Sequence, residues 1–167
     1  MTGAALVPGA ALAALRIAYP PERRISIYNL HTGESLTTTY CENGRYVDGA
    51  LQQINFIMRD FRANEIKPIE PRLLDLLYSL NRRLYTQEPF HLISGYRSPK
   101  TNAMLAARSE GVARHSLHIE GKAADIRVPG RRLWEVWQAS MELLEGGVGF
   151  YPRSDFVHVD VGRVRFW

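Results

Sequence analysis

Residues 156–160 read Phe-Val-His-Val-Asp, and this alternation limits the folds open to the chain more than any other stretch. In an extended strand successive side chains point to opposite faces, so Val157 and Val159 share one face while His158 and Asp160 share the other. The valine face is apolar and has to be buried against a core. The other face offers an imidazole beside a carboxylate. A sheet packed on one side and open for chemistry on the other satisfies both demands.

The rest of the chain supplies elements for such a sheet. Residues 24–40 alternate apolar and polar positions around His31, Thr32 and Gly33, which predicts a β-hairpin with Gly33 in the turn and His31 as a turn residue. Asp48 reads as the N-cap of a helix whose Leu51, Ile54, Ile57, Met58 and Phe61 recur at helical spacing. Pro71 opens a second helix with Leu73, Leu74, Leu77, Leu80 and Leu84 as its core stripe. Residues 90–96 predict a central strand ending in a glycine, and residues 99–111 a loop and short helix stopped by Gly111. A strand follows at 124–128. An amphipathic helix closed by Gly146 and Gly147 comes next, its Trp134 and Trp137 with Arg131 and Arg132 read as core and solvent faces. Two final strands follow, at 148–151 and 156–162. Strands and helices mix without a βαβ rhythm, so the expected fold class is α+β, a mainly antiparallel sheet with flanking helices.

A chain of 167 residues can bury one real core, and residues 21–167 are assigned to a single domain. Residues 1–20 are small and apolar: either an arm packed on the domain, or the remnant of an export signal that lacks its basic start. No stretch is long and apolar enough to span a membrane. The 21 basic against 17 acidic residues give a formal charge of +4, which favours an anionic partner. With no basic arm and no aromatic–basic motif, nucleic acid is not the expected one, whereas a cell-wall polymer is equally anionic. Cys41 stands alone, which excludes an intrachain disulfide and a Cys-rich zinc finger; it reads as a small buried hydrophobe.

A catalytic zinc takes three protein ligands from His and carboxylate and keeps one position for water. His118 and Asp125, with six residues between them, flank Gly121, which can turn the chain so that both face one point; Ala123 and Ala124 leave room for the approach. His158 is the candidate third ligand. A strand histidine is more often satisfied or exposed than metal-bound, and a His-x6-Asp spacing arises by chance, so spacing alone leaves the site open.

Three stretches, in order, change that. "SGYRSPKTN" at 94–102, "SLHIEGKAAD" at 116–125 and "GGVGFYPRSDFVHVDVGRVRFW" at 146–167 resemble the successive motifs of the LAS metallopeptidases, which include D-Ala-D-Ala peptidases, phage endolysin peptidases and the hedgehog signalling domain. The chain is most similar to their MepK-like murein endopeptidase branch, from about Ile25 to Trp167. The resemblance implies a hedgehog/D-Ala-D-Ala-peptidase-like fold and one Zn2+ per chain on His118, Asp125 and His158. It implies Asp155, three residues before His158, as the base that takes the water's proton, and Arg97 as the guanidinium that polarises the scissile carbonyl and steadies the oxyanion. Asp160, on the metal-facing side of its strand, is the rival base or else the holder of a ligand imidazole. His115 either reaches the cleft to bind substrate or lines its rim. The implied substrate is the peptidoglycan stem peptide, cut at the cross-links, in the periplasm or otherwise after export. A carboxypeptidase or dipeptidase acting on free stem ends, and a non-catalytic, zinc-stabilised cell-wall binding module, are the alternatives. A monomer is the simplest expectation.

Overall fold

The β1 strand (Glu22–Asn29) and β2 (Ser35–Glu42) pair antiparallel as a hairpin, with Gly33 at φ 72° in the turn. The Asn29 side chain closes that turn by accepting from the amides of His31 and Thr32 at 2.9 and 3.2 Å. The computed structural model describes residues 20–108 and 113–167. The readings made on residues 1–19 and on Gly111 therefore lie outside the described residues.

After the short β3 (Arg45–Tyr46) comes helix α1 (Asp48–Ile57). Its N-cap is Val47, without a side-chain cap bond, so Asp48 is the first helical residue rather than the cap; its charge still complements the helix N-terminus. The helix stops before Phe61 because Asp60 takes over the backbone, its Oδ1 accepting from the amides of Arg62 and Ala63 at 3.0 and 3.3 Å. Helix α2 (Pro71–Arg83) has Pro71 in its first turn, where a missing N–H costs nothing, and buries Leu73, Leu74, Leu77 and Leu80. Then follow β4 (Phe90–Ser94), α3 (Pro99–Ala106) capped by the Ser98 hydroxyl, a 3-10 turn at Leu117–Glu120, and β5 (Ala123–Arg127). Helix α4 (Leu133–Leu143) is closed by Leu144 in the left-handed region at φ 55°; Gly146 and Gly147 were expected to do this, but Gly147 already begins β6 (Gly147–Tyr151). The chain ends with β7 (Phe156–Asp160) and β8 (Arg165–Phe166), the latter not foreseen from the sequence.

All eight strands form one sheet in the order β3-β2-β1-β4-β5-β7-β6-β8. The sheet is mixed, which corrects the expectation of a mainly antiparallel one. β4 joins β1 in parallel because α1 and α2 intervene and return the chain to the same end; β8 joins β6 in parallel because the chain leaving β7, which is antiparallel to β6, passes β6 to reach the far edge. The α+β class holds.

One face of the sheet presents Ile25, Ile27, Leu92, Ile126, Val157 and Val159 to the helices, all at most 3 % exposed. Burying each such side chain contributes about 1.5–3 kcal/mol, enough to fix which face is inward. Cys41 is buried in this core as a free thiol. The opposite face carries Asp125 and His158, paired directly across β5 and β7. No helix among the described residues is long and apolar enough to cross a membrane.

Candidate metal centre

The 3-10 turn presents His118, and Gly121 ends that turn in the left-handed region at φ 69°. A side chain at Gly121 would also run into the Pro68 carbonyl, so both the conformation and the space demand glycine. The reversal sends the chain into β5, whose Asp125 then faces His118. His158 arrives from β7, opposite Asp125. His118 Nε2, Asp125 Oδ1 and His158 Nδ1 lie 2.9 to 3.2 Å from one another. Tetrahedral zinc with ligands at about 2.05 Å needs ligand atoms about 3.3 Å apart, so the triangle fits with a shift of a few tenths of an ångström.

Each imidazole is held by its other nitrogen. His118 Nδ1 donates to the Gly95 carbonyl at 2.7 Å, which leaves Nε2 free as a ligand. His158 Nε2 donates to Asp160 Oδ2 at 3.0 Å, which leaves Nδ1. Gly95 is packed so closely on Met58 that a Cβ would meet the Met58 carbonyl and side chain. Gly95→Ala should therefore destabilise the fold by about 1–3 kcal/mol through overpacking. It should also weaken metal binding roughly 10–100-fold by moving the carbonyl that holds His118. Denaturant midpoints and a competitive zinc titration measure the two effects.

The electrostatics call for positive charge where the three atoms meet. Burial alone would raise the Asp125 carboxyl, but the two imidazoles hold it well below the usual carboxylate range. Burial lowers His118, despite Asp125 beside it. Burial also opposes a charge on His158, yet its hydrogen bonds to Asp125 and Asp160 outweigh that and push it up to about 9. A site that draws a proton onto a buried imidazole is a site suited to a cation. Among the described residues, these three form the one cluster of His and carboxylate groups arranged to hold a metal ion.

The other candidates divide. Arg97 is buried in the same cleft; its Nη2 reaches Asp125 Oδ2 at 3.3 Å and Ser94 Oγ at 3.2 Å, while its Nε is buried without a partner among the described residues. Asp160, fully buried, accepts from His158, from the amides of Gly147 and Gly162, and from both terminal nitrogens of Arg165 at 3.1 and 2.7 Å. Burial would raise its carboxyl, but these donors hold it well below the usual range. Asp155 does not touch the triangle. It sits in the β6–β7 turn at φ 53°, exposed, with Oδ2 3.1 Å from Arg127 Nε; Arg127 also donates to its carbonyl. Arg127 follows Asp125 by two residues on β5, hence on the same face, so Asp155 lies on the metal side of the sheet. His115 is an exposed residue lining the cleft.

The cleft, about 380 Å³, has lining that the sequence did not reveal. Trp167 lies with its ring 5.4 Å from that of His158 and donates through Nε1 to the Tyr151 hydroxyl at 2.8 Å. Arg165 braces Asp160. The run Arg-Val-Arg-Phe-Trp at 163–167 was the available signal, two arginines alternating with apolar residues and then a terminal tryptophan, beyond the last expected strand. His31 and Arg62 also line the cleft, and no spacing rule joins them to it.

Residues 18–167 match the family model described as peptidoglycan L,D-endopeptidase MepK. Over 165 residues the chain is 46% identical to the peptidoglycan L,D-endopeptidase MepK of Escherichia coli strain K12, covering 99% of this chain and 90% of that protein. The MepK of Shigella flexneri matches to the same extent. The probable peptidoglycan L,D-endopeptidase MepK of Haemophilus influenzae is 37% identical over 166 residues, covering 99% of this chain and 88% of its own. No solved structure matches the chain.

Proposed function

This chain belongs to the family of peptidoglycan L,D-endopeptidases MepK, and from that premise we propose that it cuts amide bonds in peptidoglycan peptide cross-links at a single zinc held by His118, Asp125 and His158. The observation that carries the zinc reading is the ligand triangle of 2.9 to 3.2 Å, with both imidazoles anchored through their remaining nitrogens. The chain is a peptidase, a hydrolase of the cell-wall polymer, as its family is. We place its action in the periplasm, where that polymer lies, and read the fold as hedgehog/D-Ala-D-Ala-peptidase-like.

When bound, zinc supplies a Lewis acid that acidifies water and polarises a carbonyl. The protein's own groups do the rest. Gly95 and Asp160 fix the two imidazoles, so the ligand set is ordered before substrate arrives. Arg97 takes the Asp125 oxygen that does not face the imidazoles, and we assign its guanidinium to the scissile carbonyl as negative charge grows there. A guanidinium keeps its proton at every relevant pH, which suits a donor that must never become a base. We assign Asp155 to proton transfer: it takes the proton of the attacking water and delivers it to the leaving amine. Asp160 is unsuited to that task, because its oxygens are already occupied by donors and it binds protons weakly.

Purified protein should contain one zinc per chain and release peptide amines from purified murein, lose that activity to a chelator, and regain it on adding zinc. Metal analysis and mass analysis of the products are the measurements. Full activity in metal-free protein would overturn the mechanism.

A further inference from the structure

Of the arginines in the cleft, two are committed: Arg97 to Asp125, and Arg165 to Asp160. Arg62 is not. Its guanidinium makes no ion pair among the described residues and lies over the Phe61 ring, with Cζ 4.3 Å from the centroid. Phe61 is in turn stacked on the His31 imidazole, centroids 4.3 Å apart and planes at 19°. Asp125 is the only carboxylate in the described lining, and it belongs to the metal. The cleft is therefore cationic, with one guanidinium in reserve.

Arg62 is also framed. The Asp60 carboxylate, 2% exposed, accepts from the Arg62 amide with Oδ1 and from the Ser98 amide with Oδ2, at 3.0 and 2.9 Å. Burial would raise its carboxyl, but hydrogen bonds from the Thr101 and Ser98 side chains and from the Ser98 and Ala63 amides hold it below the usual range. The neighbouring Arg97 amide donates to the carbonyl of His118 at 3.2 Å. Hydrogen bonds thus run from the ligand His118 through the Arg97–Ser98 backbone and the Asp60 carboxylate to the Arg62 amide. On the other side, Asn29 pins His31. A flexible side chain has been given a fixed base and a flat platform, which lowers the entropy lost when it grips a ligand.

We propose that Arg62, stacked on Phe61 and His31 at the cleft rim, is the subsite that binds a free carboxylate of the peptide substrate. This rests on the peptidase reading above and adds to it a specificity: the enzyme prefers stem peptides whose carboxylates are free over those in which they are amidated. The guanidinium fork donates two parallel hydrogen bonds to a carboxylate, whereas an amide offers it one acceptor oxygen and no charge.

The test uses the full chain with its metal. A stem tetrapeptide from purified murein, and the same peptide with its carboxylates amidated, are titrated into the parent, Arg62→Ala and Arg62→Lys by calorimetry. Both are product-like, so the result does not depend on turnover. The parent should bind the free form roughly 10-fold or more tightly than the amidated form. Arg62→Ala should lose that preference with an unchanged melting temperature, since the side chain is exposed, and Arg62→Lys should keep only part of it. On a cross-linked dimer, the fall in kcat/KM of Arg62→Ala should be carried by KM. A parent without preference, or an Arg62→Ala that discriminates as the parent does, overturns the proposal. If the parent discriminates but cleaves no cross-link, the peptidase reading fails and the subsite stands; cleavage with undiminished discrimination in Arg62→Ala has the opposite meaning.

Discussion

His118→Ala should cost the protein its zinc and its activity together. Two protein ligands would remain, and the loss reaches further than one ligand. The Gly95 carbonyl loses its donor, and Asp125 keeps only His158 and Arg97 as partners in a buried site. Removing a metal that supplies several kcal/mol of transition-state stabilisation lowers turnover on the order of 10³-fold or more. The measurement is zinc per chain by metal analysis beside turnover on murein, with circular dichroism to establish that the variant is folded. A folded His118→Ala that keeps one tightly bound zinc per chain would show that the ligand set is wrong.

The second large effect separates the two acids near His158. Asp155 is exposed and outside the core, so Asp155→Asn should fold normally and retain zinc. Its turnover should nevertheless fall roughly 10²–10⁴-fold, the range for loss of a general base. Asp160→Asn should behave in the opposite sense. It puts an amide where His158, two backbone amides and Arg165 all require an acceptor, and leaves a buried charge without its partner. Breaking such a buried arrangement costs about 3–5 kcal/mol of stability, and zinc affinity should drop roughly 10–100-fold. Thermal melts, zinc titration and turnover on all three proteins, side by side, give the answer. An Asp160→Asn variant that holds zinc yet is inactive, alongside an active Asp155→Asn, would move the base to Asp160. In this structure Asp155 is held by Arg127 in the β6–β7 turn. Catalytic hydrogen bonds often tighten only when substrate is present, so this position is compatible with the assigned role.

Local patterns carried the sequence reading a long way. The β1–β2 hairpin, the α2 leucine stripe and the inward face of β7 follow from period and turn chemistry, because those are properties of neighbouring residues. Helix ends were less legible. Val47 rather than Asp48 caps α1, and Leu144 rather than a glycine closes α4, because packing around the ends outweighs local preference there. The strand directions were not legible either: whether β4 lies parallel to β1 depends on where two intervening helices deliver the chain.

The same division runs through the functional site. The sequence by itself nominated the residues we propose for the chemistry, His118, Asp125 and His158 with Arg97 and two nearby acids, because family motifs and strand alternation are written along the chain. Only the tertiary structure decided where those acids sit and what surrounds them. Asp160 and Asp155 are both carboxylates a few residues from His158, and nothing in their spacing separates them. One is buried among Arg165 and two backbone amides, while the other stands in solvent on Arg127. His31 and Arg62 come from a hairpin turn and an interhelix loop 31 positions apart in sequence, and meet only because Phe61 lies between them in space. Proximity across the fold depends on how the core packs, and that packing is a property of the whole chain rather than of any stretch of it.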